Sequence, residues 1–111
     1  MGLKVVTKRQ YLVLSLVLAA VYLWVGTRPR LPHALGVFPD WLGHGLAYGV
    51  LAWVLRRGMD AFVPAAIGAT GHGMLLEWLQ RSVPGRSAEV TDVLADALGA
   101  ILGAWLVRRP W

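Results

Sequence analysis

The chain has 111 residues, enough for one domain and not for a second. Hydrophobic residues make up 57% and charged residues 15%, against roughly 45–50% and about 25% in soluble domains, a balance that points to a membrane protein. The absence of cysteine excludes disulfides, thiol nucleophiles and Cys-based metal sites, and the net charge of +5 is dispersed as small basic groups at the ends of apolar runs, which argues against nucleic acid as a partner.

The first apolar run, "YLVLSLVLAAVYLWVG", carries no charge from Tyr11 to Gly26 and predicts a helix over about residues 10–26. Basic residues precede it, as in a signal peptide, but no small-residue cleavage site follows and three more apolar segments do. It is read as a retained transmembrane helix. The proline-punctuated "RPRLPHALGVFP" cannot continue a helix. A second helix is expected over about residues 41–57, its apolar run from Trp41 to Leu55 interrupted by His44. "RRGMD" reads as a tight turn, with Gly58 as helix stop and Asp60 as the next N-cap.

The third helix, about residues 61–82, contains His72 and Glu77. His72 reads as a packing residue for which Gly71 and Gly73 make room. "VPGRS" ends this helix, because Pro84 disfavours helical geometry at Val83 and Gly85 permits a turn. Ser87 can cap a fourth helix over about residues 89–108, which carries Asp92 and Asp96. A soluble bundle is the weaker reading, since helices one and two lack the polar stripe of a water-facing helix.

The expected fold is therefore all-α, a single four-helix transmembrane bundle spanning 1–111 as a multi-pass protein of the cell membrane. Lys4, Lys8, Arg9, Arg56, Arg57, Arg108 and Arg109 would share one side, against Arg28, Arg30, Arg81 and Arg86 on the other. The positive-inside rule places both termini in the cytoplasm.

That topology gathers ionisable residues at the outer face. Asp40, His44 and Tyr48 are spaced by four and line one face of helix two, and Glu77 reaches Gln80 and Arg81 by three- and four-residue steps. Asp92 and Asp96 lead a stripe that continues through Gly99 and Gly103; Gly45/Gly49 form a second small-residue pair suited to close helix contact. Several of these have plain structural readings: Asp40 as an N-cap, Glu89 and Asp92 as helix-dipole partners, His44 as an interhelical hydrogen bond. Glu77 and Asp96 resist such readings, and a carboxylate inside a membrane helix is a functional-site hypothesis by default.

"PDWLGHGLAYGVLAWVL", followed by "GMLLEWLQRSVPGRSAEVTDVLADALGAILG", resembles the VanZ-like family of small bacterial membrane proteins. The matching positions are Asp40, His44, Tyr48, Glu77, Gln80, Pro84, Arg86, Asp92, Gly99 and Gly103. Two positions depart from the family's frequent pattern: Trp41 where Lys is common, and Asp96 where Asn is common. The resemblance implies a cell-envelope protein, the family's namesake being associated with low-level teicoplanin resistance.

Four functions compete. The first is binding of an anionic lipid headgroup or lipid-linked envelope precursor, with Arg81 and Arg86 taking the anion and Asp40, His44, Tyr48, Glu77, Gln80, Asp92 and Asp96 completing the pocket. The second is an intramembrane transferase or hydrolase using His44 or Glu77 as general base. The third is a proton or small-ion path along Glu77, Asp92 and Asp96, and the fourth a purely structural bundle. Asp40, His44, Glu77 and Asp92 are ligand types, but their sequence spacing is not that of a metal motif, and neither a metal nor a cofactor is expected.

Overall fold

The computed structural model describes residues 6–28, 40–83 and 90–107, together with the backbone but not the side chain of Asp40. Four helices follow in order: α1 Lys8–Gly26, α2 Asp40–Met59, α3 Phe62–Gln80 and α4 Val90–Trp105. Among the described residues there is no strand.

α1 begins two residues earlier than expected because Thr7 and Gln10 close a capping box. The Gln10 amide donates to Thr7 Oγ1 at 3.1 Å, and the Thr7 amide donates to Gln10 Oε1 at 2.9 Å. At its far end the Thr27 hydroxyl donates back to Leu23 O at 2.6 Å. Pro64 lies in the first turn of α3, where the missing amide hydrogen is one that the helix would leave unpaired anyway.

The turn between α2 and α3 differs from the sequence expectation. Gly58 does not stop α2; it lies buried inside it, where an added Cβ would come within 2.8 Å of Leu12 Cδ2 and 3.1 Å of Leu12 N. The glycine makes room for α1 rather than for a turn. Asp60 does not cap α3 either. It adopts the left-handed conformation with φ 56°, which Asp tolerates better than most residues, and its amide donates to Arg56 O at 2.8 Å. Ala61 is the residue before α3, with no side-chain cap. The Asp60 carboxylate accepts from Lys8 Nζ at 3.2 Å instead, an exposed pair of small energetic weight.

α2 and α4 make the most extensive contact in the bundle. An added Cβ on Gly99 would overlap Gly45 O, and one on Gly103 would overlap Gly49 O. The two small-residue stripes thus face each other and let the backbones touch. The apolar core is small and built around Tyr48, Leu51, Ala52, Ala65, Ala69, Ala100 and Ala104.

Beside this core, many large apolar side chains lie on the outside and several polar ones lie inside. Leu16, Trp24, Ile67, Leu98 and Val90 are 63–75% exposed, while Ser15, Glu77, Gln80, Asp92 and Asp96 are at most 6% exposed. Among the described residues α1 alone is both long and apolar enough to cross a membrane by itself. α4 is short at 16 residues, and α3 is diluted by His72, Glu77 and Gln80. The side chains that lower hydropathy there include buried members of the bundle interior.

Candidate functional site

Three helices deliver the polar side chains to one end of the bundle. His44 stands early in α2, Glu77 in the last turn of α3, and Asp92 in the first turn of α4. One potential ligand atom from each lies within 4.8 Å of the other two. Asp96, one turn below Asp92 on α4, is fully buried. Gly73 on α3 makes its position possible, since a Cβ there would come within 2.5 Å of Asp96 Oδ2. The room beside His72 therefore serves Asp96, while a Cβ on Gly71 would meet nothing within 4 Å.

His44 is bonded to Asp96 and lies near Asp92. Its Nδ1 lies 2.8 Å from Asp96 Oδ1, and because a carboxylate oxygen accepts, Nδ1 must donate. That bond turns Nε2 toward Asp92, whose Oδ2 is 3.8 Å away, beyond ordinary hydrogen-bond length. The ring also stacks on Tyr48, with centroids 6.5 Å apart and planes 22° from parallel.

Below this cluster runs a second chain of hydrogen bonds. The Tyr48 hydroxyl is 2.8 Å from His72 Nδ1, and His72 Nε2 is 2.9 Å from Ala19 O. A backbone carbonyl can only accept, so Nε2 carries the hydrogen; in the neutral ring Nδ1 then accepts from Tyr48. His72 is thus more than a packing residue. It links α2 to the backbone of α1, and Tyr22 returns the link by donating to Ala47 O at 2.8 Å.

Of the residues expected in one pocket, His44, Glu77, Asp92 and Asp96 are brought together. Tyr48 is 2% exposed and engaged with His72, and Gln80 donates its Nε2 to Gly26 O at 3.0 Å, tying α3 to the end of α1. Both hold the helices that carry the cluster. Arg81 is exposed just beyond α3. The Asp40 side chain, together with Pro84, Gly85, Arg86, Ser87 and Glu89, lies outside the described residues.

The opposite end of the bundle is basic. Arg56 Nη1 donates to Ala104 O at 3.1 Å near the end of α4, where carbonyls lack helical partners. Arg57 lies over the rings of Tyr11 and Trp53 at 5.0 and 5.1 Å. Along α2 and α4 an apolar groove of about 520 Å³ is lined by residues including Trp41, Gly45, Gly49, Ala95, Leu98 and Leu102. His44, Glu77, Asp92 and Asp96 are not among the residues that line this groove.

A family model described as VanZ/LLP1 matches residues 34–109, most of the chain. No curated protein and no solved structure matches it.

Proposed function

The chain belongs to the VanZ/LLP1 family, and on that premise we propose that it is a multi-pass protein of the bacterial cell membrane that binds an anionic lipid headgroup or lipid-linked envelope precursor. The observation that carries this reading is the pairing of large apolar side chains on the outside with His44, Glu77, Asp92 and Asp96 gathered inside at one end. A lipid solvent favours that arrangement, because ionisable groups then face the interior and apolar ones the acyl chains. Helices of 19, 20 and 19 residues reach about 28–30 Å, close to the roughly 30 Å hydrocarbon core.

The headgroup would sit at the polar end and an acyl chain along the apolar groove between α2 and α4. Arg86 would add the donor fork suited to phosphate oxygens, following "VPG" in the connection that leads to α4. Reduced susceptibility to teicoplanin-type glycopeptides is the cellular trait this reading associates with the site.

The topology follows from the seven-to-four distribution of basic residues. Reporter fusions after Arg57 and Arg109 are expected to read cytoplasmic, and a fusion after Arg86 external. A cytoplasmic signal after Arg86 would remove the headgroup from reach of the outer leaflet and overturn this orientation. The binding half is tested by extraction in mild detergent: an anionic lipid should copurify with the chain, and retention of neutral lipid alone would contradict it.

A further inference from the structure

We propose that His44, Glu77 and Asp92 bind a divalent transition-metal ion, through which the pocket takes the phosphate of a headgroup; the second step rests on the binding function proposed above, the first does not. The three side chains each present one ligand atom, all within 4.8 Å of one another. Two ligands held at about 2.0–2.2 Å from one tetrahedral ion lie roughly 3.3–3.6 Å apart. The 3.8 Å between His44 Nε2 and Asp92 Oδ2 exceeds that by a few tenths, and the 4.8 Å bound on the whole set exceeds it by about 1.2–1.5 Å, a closure that requires the Glu77 side chain to swing inward.

The second observation is Asp96. It is fully buried, gives Oδ1 to His44 Nδ1 at 2.8 Å, and its Oδ2 has no hydrogen-bond partner among the described residues. A metal-bound histidine characteristically donates its other ring N–H to a carboxylate, which fixes the tautomer and makes the ligating nitrogen more basic. Asp96 occupies that position and presents Nε2 of His44 toward Asp92. A cation on Nε2 would also polarise the imidazole and strengthen its hydrogen bond to the buried Asp96 carboxylate.

One imidazole and two carboxylates form a donor set for a divalent ion, and Asp96 stands behind His44 as a third buried carboxylate. Imidazole with carboxylate suits zinc, and also manganese or iron, better than the all-oxygen preference of calcium or magnesium. Three protein ligands leave at least one coordination position for a phosphate oxygen. The ligands come from α2, α3 and α4, so no local sequence spacing announces them.

The test uses the full chain in nanodiscs of neutral phosphatidylcholine, stripped with EDTA and titrated calorimetrically with Zn²⁺ and Mn²⁺, with Mg²⁺ and Ca²⁺ alongside. One saturable ion per chain is expected, with Zn²⁺ or Mn²⁺ preferred. His44→Ala and Glu77→Gln should abolish it, with melting curves recorded for both variants. Asp96→Asn should weaken it about 10–100-fold, the usual effect of altering a carboxylate behind a ligating histidine. Absence of saturable binding by the folded wild-type chain would overturn the proposal, as would affinity unchanged in a folded Glu77→Gln variant. The headgroup step is read separately, by capture of phosphatidic acid from mixed vesicles with and without EDTA. Capture that needs the ion supports both steps; equal capture in EDTA overturns metal mediation and leaves the binding function standing. Metal binding without capture overturns the headgroup step alone.

Discussion

Gly103→Ala is expected to cost about 3 kcal/mol or more of stability, above the usual range for overpacking, because the added methyl meets backbone rather than a movable side chain. A Cβ at this position would overlap Gly49 O, and the helix-helix contact has no slack to absorb it. α2 and α4 would have to separate, carrying His44 away from Asp92 and Asp96. Gly43→Ala and Gly71→Ala supply the contrast. Neither added Cβ would meet anything within 4 Å, so each should be neutral or gain up to about 1 kcal/mol from helix propensity. Reversible unfolding of the detergent-solubilised protein in SDS reads all three. Equal effects at positions 103 and 71 would mean that the backbones do not touch.

Asp96→Ala is expected to be comparably severe, at about 3–5 kcal/mol, the range for removing one partner of a buried charged pair. It removes the acceptor of His44 Nδ1 and leaves a void where a fully buried side chain had been. Asp96→Asn keeps the volume and an acceptor oxygen, exchanging a charge-assisted bond for a neutral one at about 1 kcal/mol. The expected order is therefore wild type, then Asn, then Ala, in the same unfolding assay. If Ala were as stable as Asn, His44 would not depend on Asp96, and the orientation of its ring would need another cause.

Much of the helical organisation was legible because apolar runs and proline- or glycine-bearing connections mark it directly. The small-residue stripes of α2 and α4 were visible in the sequence as surfaces for close contact, but not that they would meet each other. The start of α1 was legible in principle: "TKRQ" is a capping-box pattern, easily passed over as a basic membrane flank. Gly58 and Asp60 were not legible in the same way. A glycine followed by an acid near a helix end fits a stop and a cap, and only the approach of Leu12 reveals that Gly58 is needed for packing.

The site was legible in its membership more than in its wiring. Four-residue spacing placed His44 with Tyr48 and Asp92 with Asp96, and helix ends placed Glu77 near them. It could not say that His44 would bond Asp96, or that Tyr48 would turn away to His72, because those pairs are 52 and 24 residues apart. Gln80 shows the same limit: a side chain of pocket chemistry at pocket depth is used to tie α3 to Gly26.

Native mass spectrometry of the chain released from its own membranes shows directly whether the His44–Glu77–Asp92 cluster is a ligand site. Wild type is compared with Glu77→Gln, and both must first show cooperative melting. One anionic lipid or lipid-linked molecule is expected per wild-type chain, and its loss from the folded variant. The same lipid at the same occupancy on both proteins would contradict that expectation and leave the cluster as interhelical scaffolding.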